Sequence, residues 1–256
     1  MITKKLMSVI IVMIIFLIPS AVMASDAFLF SAVGGIAPIA YEENGEKKGL
    51  CYDLFREVSK KLKLDIKIQY YPFKRMWGHL KEGTIDGSIG IYYKTERTEH
   101  VIFSDQPIYY VRYSIFVKKG KEFDFKKIED LYGKTVGIQS GWFVSDEFNK
   151  AVRERKILVE ETAENESNLK KLNHGRIDAF IGNYYISMYT LKQIRLEENI
   201  VALPNAVTEK KGVYWAISKK AKSIKNKSKF IEKVNKAIEE IHYAGILDII
   251  EKKYIR

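Results

Sequence analysis

Cysteine and histidine are the most chemically versatile residue types in this 256-residue chain, and their number and spacing exclude most of that chemistry. The single thiol, Cys51, cannot form an intramolecular disulfide, and one thiol makes no zinc cluster. The four histidines are scattered, without the H-x-x-x-H spacing of a metal site. The sequence also lacks the G-x-S-x-G, H-E-x-x-H and cysteine-centred nucleophile patterns. These absences argue against a hydrolase, and we expect no metal and no cofactor.

The first 24 residues have the layout of a secretory signal peptide. A positive start at Lys4 and Lys5 is followed by an apolar run over residues 6–18, and small or branched residues lead up to Ala24. This pattern predicts cleavage after Ala24 and a mature protein in the periplasm or an equivalent extracytoplasmic space. An uncleaved anchor is the alternative, although a run of thirteen residues is shorter than the about 20 that span a bilayer.

Lysine dominates the charge of the mature chain. Removing Lys4 and Lys5 leaves 41 basic and 32 acidic residues, so the net charge falls from +11 to +9. Because a secreted protein does not normally meet nucleic acid, we interpret the excess lysine as a solvated surface and expect no nucleic-acid partner. An unpaired thiol in an oxidising compartment further predicts that Cys51 is buried.

The mature chain alternates predicted strands and helices, which is typical of an α/β fold. Its 46% hydrophobic and 29% charged residues argue against global disorder and against a polytopic membrane protein. Long apolar strands predicted at residues 108–117 and 212–217 lie on either side of a second alternation of strands and helices. We therefore predict two α/β lobes joined by two crossover strands, with lobe 1 at residues 26–110 plus 210–256 and lobe 2 at residues 111–209. A cleft between such lobes is a common place for a small-molecule site.

Six segments, in order, carry a family resemblance that covers nearly all of residues 27–254. The segments are Gly49-x-x-x-Asp53-Leu54; Leu80-x-x-Gly83-x-Ile85-Asp86-Gly87; GIYYKTER at residues 90–97 with Phe103-Ser104-Asp105-x-Pro107-x-Tyr109; Leu131-x-Gly133-Lys134-x-Val136-Gly137-Ile138-Gln139-x-Gly141; Leu172-x-x-Gly175-Arg176-Ile177-Asp178-Ala179; and Val234-Asn235-Lys236-Ala237 through Gly245 to Lys253-Tyr254. Together they resemble the family 3 extracytoplasmic solute-binding proteins, the amino-acid receptors of ABC importers. The resemblance implies a two-lobed periplasmic-binding-protein fold of type II, whose cleft closes on the ligand.

The GIYYKTER run implies the anion contact of the ligand site. By resemblance, Arg97 grips the carboxylate of the ligand, and a guanidinium offers paired N–H donors that fit a carboxylate. Gly90 is expected to let the backbone approach the ligand, and Tyr92 and Lys94 are carried over as ligand contacts from the same run. The alternatives stay open: a surface ion pair for Arg97, a bulge or strand end for Gly90 and packing for Tyr92.

Two departures from the family pattern put an ordinary amino-acid ligand in doubt. Gly141-Trp142-Phe143 stands where the family usually carries a small polar turn, so we expect an aromatic wall; core packing of Trp142 is the alternative. Asn183 stands where the family usually places an aspartate that binds the α-ammonium, and an amide supplies no counter-charge. These departures predict a ligand with an anionic group and an apolar or aromatic body. Glu161 or Glu166 taking over from the missing aspartate would restore amino-acid binding.

Arg75 is the last candidate site residue. It belongs to the aromatic and cationic segment Tyr71-Pro72-Phe73-Lys74-Arg75, which stands at the start of a predicted helix. In the implied architecture this is a place where loops meet the cleft, although a surface position is the alternative.

The function implied by the resemblance is that of a receptor. It captures a small carboxylate-bearing solute, an amino acid or a related acid, between its lobes and presents it to the membrane permease of an ABC importer. Binding is expected to shift an open–closed equilibrium toward the closed form. We expect a monomer without enzyme activity. A dehydratase of the same fold, such as a cyclohexadienyl dehydratase, and a ligand-sensing adaptor are the alternatives, and Asn183 weakens the first of them.

Overall fold

The computed structural model describes residues 27–255, which form two α/β lobes. The signal peptide predicted at residues 1–24 lies outside the described residues. Within residues 27–255, no helix has the length and apolarity that a membrane span requires.

Lobe 1 contains the first seven strands, the last strand and four α-helices of the described residues. In chain order these elements are β1 (Phe28–Val33), β2 (Tyr41–Glu43), β3 (Glu46–Lys48), α1 (Leu50–Leu62), β4 (Ile66–Tyr71), α2 (Phe73–Glu82), β5 (Gly87–Tyr92), β6 (Val101–Phe103), β7 (Tyr109–Val111), β13 (Lys211–Ser218), α6 (Lys227–Tyr243) and α7 (Ile246–Ile255). The sheet has the order β4-β1-β5-β13-β6, with β7 paired to β13, while β2 and β3 form a separate hairpin. Because β1, β4 and β5 are parallel, their carboxyl ends share one edge of the sheet.

Lobe 2 contains the remaining five strands and three α-helices of the described residues. They are β8 (Tyr113–Lys118), β9 (Thr135–Gln139), α3 (Asp146–Arg153), β10 (Leu158–Thr162), α4 (Asn165–Asn173), β11 (Ala179–Asn183), α5 (Tyr184–Gln193) and β12 (Ile200–Ala206). The sheet has the order β10-β9-β11-β8-β12, in which β9, β10 and β11 are parallel and β8 is antiparallel to both of its neighbours.

Burial of the apolar residues explains why these elements pack as they do. In lobe 1 the buried Trp215 of β13 stacks on Phe55 of α1 at 5.2 Å between ring centres and lies 5.0 Å from the ring of Phe30. In lobe 2 successive side chains of β8 point to opposite faces, so Ile115 enters one core cluster and Phe116 the other. Both lobe 2 faces are therefore covered, which is what a largely parallel sheet requires.

The apolar stretch predicted as one strand at residues 108–117 is in fact two strands. β7 pairs with β13 in lobe 1, whereas β8 pairs with β11 and β12 in lobe 2, and the change of sheet falls at Arg112. The hairpin of β2 and β3 and the short strand β6 lie where no strand was predicted. The chain returns to the first sheet between Ala206 and Lys211. The lobe bounds given above, at 110/111 and 209/210, stay a prediction.

Helix α5 of lobe 2 packs directly against lobe 1. The Tyr185 hydroxyl donates a hydrogen bond to a carboxylate oxygen of Glu251 in α7, and the Tyr185 ring meets the Tyr109 ring edge-on at 6.0 Å. The guanidinium of Arg112 lies 3.9 Å from the centre of the Tyr184 ring. The two lobes therefore share a tyrosine-rich contact next to the first crossover.

Candidate functional site

A cavity of about 300 Å³ lies where the two lobes meet. Lobe 1 supplies the carboxyl ends of β1 and β5, and lobe 2 supplies Tyr113, Asn183 and Ile186. In open α/β sheets the carboxyl ends of parallel strands are the usual place for a ligand. Most of the lining is apolar: Ala32, Val33, Ile36, Ile39, Ala40, Ile89, Ile91, Val111, Ile186 and Val213. A larger hollow of about 730 Å³ on the outside of lobe 1, beside α1 and β4, has no contribution from lobe 2.

Arg97 enters this cavity from a short 3₁₀ helix, Thr95–Glu99, that follows β5. Its Nη1 donates a 2.8 Å hydrogen bond to the Tyr92 carbonyl, and its guanidinium lies 5.0 Å from the ring centre of Phe73 and 5.6 Å from that of Trp77. Partial burial lowers the pKa of Arg97 below its ordinary value, but a guanidinium stays charged in proteins. The backbone and the two rings thus hold a cation at the cavity wall.

Gly90, Cys51 and Tyr109 form a neutral part of the lining. Gly90 has φ 91°, and a Cβ at this position would lie 3.0 Å from Sγ of Cys51. Cys51, buried as predicted, and Tyr109 share a side-chain hydrogen bond. Burial raises the pKa of Cys51 to about 12 and the pKa of Tyr109 well above its ordinary value. Both groups are therefore protonated and uncharged at neutral pH.

Asn183 is committed to contacts within the protein. It is the N-cap of α5, where its Oδ1 accepts a 3.2 Å hydrogen bond from the Ile186 N–H. Its side chain also hydrogen-bonds the Tyr113 hydroxyl, directly across the β11–β8 ladder. Burial is the larger influence on Tyr113 and raises its pKa, so this pair is neutral as well.

Among the described residues that line the cavity, Arg97 is the one charged side chain. Within residues 27–255, no aspartate, glutamate, histidine or lysine contributes to the lining. Residues 27–255 also contain no group of three His, Cys, Asp or Glu side chains that could hold a metal ion. The arrangement suits one anionic group next to apolar surface.

The sequence profile of the bacterial extracellular solute-binding proteins, family 3, matches residues 31–256. The chain belongs to this family.

Relatives of this solute-binding protein are named as binding proteins. The probable amino-acid-binding protein YxeM of Bacillus subtilis (strain 168) is 28% identical over 224 residues, which is 87% of this chain and 81% of the relative. The arginine-binding extracellular protein ArtP of the same organism is 27% identical over 218 residues, 85% of this chain and 81% of ArtP. The second substrate-binding domain of Lactococcus lactis GlnP, in its open conformation, has a TM-score of 0.74 at 20% identity, covering 90% of this chain and 95% of that domain. This likeness confirms the predicted two-lobed fold.

Four of the eight site residues predicted for this solute-binding protein line the cavity: Gly90, Tyr92, Arg97 and Asn183. The described residues show no ion pair for Arg97, and its neighbour Glu96 pairs with Lys94 at 3.5 Å.

The structure does not bring the other four predicted residues to the cavity. Lys94 is exposed, and Arg75 projects into solvent from α2. Phe143 is 59% exposed. Trp142 lies behind Tyr113, which fills the space between Trp142 and the cavity. The expected aromatic wall is thus a tyrosine from β8.

Sequence reasoning missed Phe73 and Tyr113 as lining residues. Phe73 belongs to the segment from which Arg75 was predicted as a site residue. The prediction therefore found the right segment but the wrong residue of it. Tyr113 gave no signal, because its position depends on the change of sheet at Arg112. The proposed substitutes for the missing aspartate lie elsewhere: Glu161 and Glu166 are both exposed, and Glu166 binds Lys170 at 2.6 Å.

Proposed function

We propose that the protein is an extracytoplasmic receptor that captures a small carboxylate-bearing solute between its lobes and presents it to the permease of an ABC importer. The observation that carries this proposal is a cavity between the two lobes in which Arg97 is the one charged side chain among the described lining residues. The family is extracellular, which supports export by the signal peptide predicted at residues 1–24.

Arg97 is suited to hold the carboxylate. One of its five N–H donors is used on the Tyr92 carbonyl, and within residues 27–255 no other hydrogen bond holds the guanidinium, so its other donors are left for a ligand. Its partial burial strengthens a charge-assisted hydrogen bond, because water competes less for both partners. Phe73 and Trp77 restrict the guanidinium, which reduces the entropy lost on binding.

The rest of the ligand is apolar or aromatic in this proposal. An α-ammonium buried beside Ile36, Ile39 and Ile186 would need a counter-charge or several acceptors. Asn183 offers neither, since its oxygen caps α5. A volume of about 300 Å³ leaves room for one ring or branched chain beside the carboxylate.

A free amino acid is the second candidate ligand. It is favoured by the names of YxeM and ArtP, which describe amino-acid and arginine binding in those proteins. On this hypothesis the ammonium is satisfied by neutral acceptors such as the Tyr113 hydroxyl and backbone carbonyls.

Ligand contacts from both lobes bias the opening equilibrium. Arg97 and Tyr92 belong to lobe 1, and Tyr113 and Asn183 belong to lobe 2. A ligand that touches both sets binds the closed form more tightly and shifts the population toward it. The closed form is then the one that the permease recognises.

A same-fold dehydratase is disfavoured by the lining itself. Such chemistry needs an acid or base near neutral pKa, and the titratable neutral groups Cys51 and Tyr109 have raised pKa values. A sensor that hands its ligand to no transporter uses the same cavity, and a transport assay with the partner permease separates it from the importer receptor.

A thermal-shift screen tests the ligand class. The twenty amino acids are compared with their deaminated analogues, such as phenylalanine against 3-phenylpropionate, and with short aliphatic acids. We expect a saturable shift with an acid that lacks the ammonium, and no shift with the Arg97→Ala variant. A large shift with one free amino acid alone selects the second candidate, and no shift with any anion overturns the carboxylate proposal. Native mass spectrometry of the secreted protein identifies a ligand retained from the cell.

A further inference from the structure

The densest run of charge in the chain follows β13. Residues 219–229 contain six lysines and no acidic residue. Lys227 donates hydrogen bonds to the carbonyls of Ala221 and Ile224, but the other five lysines of the run are exposed, and none of them makes an ion pair within residues 27–255. The sequence-based interpretation of a generic solvated surface does not explain why the charge is concentrated here.

The topology places this run at one end of lobe 1, opposite to the cavity. The carboxyl ends of β1 and β5 line the cavity, so their first residues, Phe28 and Gly87, mark the far edge of the sheet. β13 is antiparallel to β5 and pairs Ile217 with Gly87, and it therefore leaves the sheet at that far edge. The Lys220 carbonyl lies against Gly83, where an added Cβ would be 2.6 Å away.

Lysines from two further helices collect at the same end. α1 and α2 both run back from the cavity edge and end next to the first residues of β4 and β5. We define the basic end of lobe 1 as the exposed lysines Lys60, Lys63, Lys81, Lys219, Lys220, Lys222, Lys225 and Lys229. Four exposed acids, Asp65, Glu82, Glu99 and Glu232, lie among or next to these eight lysines, so the basic end keeps a positive net charge.

Stability of the fold does not account for the lysines after β13. α6 begins at Lys227 and has no acidic residue in its first turn. A helix N-terminus carries a partial positive charge, so Lys225 and Lys229 beside it are placed unfavourably for the helix. These lysines are exposed and unpaired within residues 27–255, so their charge is available to a partner outside the fold.

The described chain also starts at this end. The Phe28 N–H bonds the Asp65 carbonyl at 3.0 Å, and the Phe28 ring packs on Phe230 of α6 at 5.6 Å between ring centres. In the sequence, the apolar run at residues 6–18 ends ten positions before Phe28. The basic end is therefore the end of lobe 1 nearest along the chain to the segment that is predicted to direct export across the membrane.

We propose that the basic end of lobe 1 docks on an anionic phospholipid surface. Each lysine near such a surface strengthens binding about fivefold, and the attraction falls off within a Debye length. Docking through this end leaves the cavity, at the opposite edge of the sheet, open to solvent. The interaction needs no ligand and is independent of what the cavity binds.

Vesicle flotation of the protein as cells secrete it tests this proposal. The measured quantity is the fraction bound to vesicles with about 30% phosphatidylglycerol divided by the fraction bound to pure phosphatidylcholine vesicles. This ratio can be measured whether or not the leader is retained. We expect a ratio of at least about ten at about 50 mM salt, lost at about 500 mM salt. A ratio near one at low salt overturns the proposal.

Two matched variants locate the interaction. The first replaces Lys220, Lys222, Lys225 and Lys229 by Gln, and the second replaces Lys121, Lys150, Arg153 and Arg176, which are exposed on lobe 2, by Gln. Both lose the same charge, and we expect only the first to lower the ratio, by at least about tenfold. Equal losses would show that net charge alone, and not the basic end, drives binding.

A fluorescent label gives a second readout that does not depend on multiple substitutions. Cys51 is buried, so a polarity-sensitive dye can be attached selectively to Ser223→Cys in the basic end or to Ser167→Cys on lobe 2. Anionic vesicles should shift the emission of the first label only. A shift confined to the second label contradicts docking through the basic end.

Discussion

The rings of Tyr113 and Trp142 stack at 4.3 Å between their centres, with an angle of 21° between their planes. Tyr113 lines the cavity and Trp142 does not. Tyr113 also receives the side-chain hydrogen bond of Asn183, so its ring is fixed from the hydroxyl end and from one face. The lobe 2 wall of the cavity is therefore a tyrosine oriented by a tryptophan behind it.

Trp142→Ala should weaken ligand binding although Trp142 lies outside the cavity. Loss of the ring pair, worth about 1 kcal/mol, frees Tyr113 to turn and should reduce affinity about fivefold. The measurement is calorimetry with the ligand found by the thermal-shift screen. Phe143→Ala is the matched control, because this neighbouring ring is 59% exposed and should change affinity little. Equal losses in the two variants would contradict a role for the stack.

Arg97→Ala should abolish high-affinity binding while leaving the fold intact. Removing one partner of a buried charge-assisted hydrogen bond costs about 2–5 kcal/mol, which is about 30-fold or more in affinity. Arg97→Lys keeps the charge without the planar fork of N–H donors, so its affinity should lie between those of the parent protein and Arg97→Ala. Arg75→Ala removes an exposed cation of the nearby α2 and should bind like the parent protein. Calorimetry that gives Arg97→Ala the affinity of the parent would remove Arg97 from the site.

The fold was largely predictable because each lobe repeats short strand–helix units with local signals. The helix predicted at residues 74–82 is Phe73–Glu82, and it ends at Gly83, whose left-handed φ of 74° suits a glycine. The break at Arg112 was not predictable, because residues 108–117 contain neither a glycine nor a proline and are apolar on both sides of Arg112. Which sheet each half joins depends on strands more than 60 residues away in sequence.

The candidate site was predictable only where a residue sits on a motif. The GIYYKTER run gave Gly90, Tyr92 and Arg97, and all three line the cavity. The resemblance along the same run also suggested Lys94, but Lys94 is exposed in the turn after β5. For Trp142, the residue type correctly predicted that an aromatic ring lines the cavity. The packing of the structure shows that this ring belongs to Tyr113 and that Trp142 stacks on it.

Asn183→Asp should change the ligand class and leave the fold nearly unchanged. Aspartate is as good an N-cap as asparagine, so α5 keeps its bond to the Ile186 N–H. The new carboxylate supplies the counter-charge that an α-ammonium lacks, and it repels a ligand that carries only an anion. The affinity ratio of phenylalanine to 3-phenylpropionate should rise by about tenfold or more, as expected for a charge-assisted hydrogen bond. Calorimetry that shows both affinities falling together would mean that position 183 does not face the ammonium.

The thiol of Cys51 should be nearly inert in the folded protein although it lines the cavity. Burial raises its pKa from 9.0 to about 12, so the neutral thiol dominates at pH 8 and the reactive thiolate is rarer by about a thousandfold than in the unfolded chain. Its hydrogen bond with Tyr109 lowers the pKa of Cys51 but is the smaller influence.

Reaction of Cys51 with an aromatic disulfide reagent should therefore be slow in buffer and fast in guanidinium chloride, with Cys51→Ser as the unreactive control. The native rate should rise with pH well above 9, and a saturating ligand should lower it further by covering Gly90 and Cys51. A rate in buffer close to that in denaturant would show that this part of the cavity is open to water and that the packing of Cys51 against Tyr109 and Gly90 is not maintained.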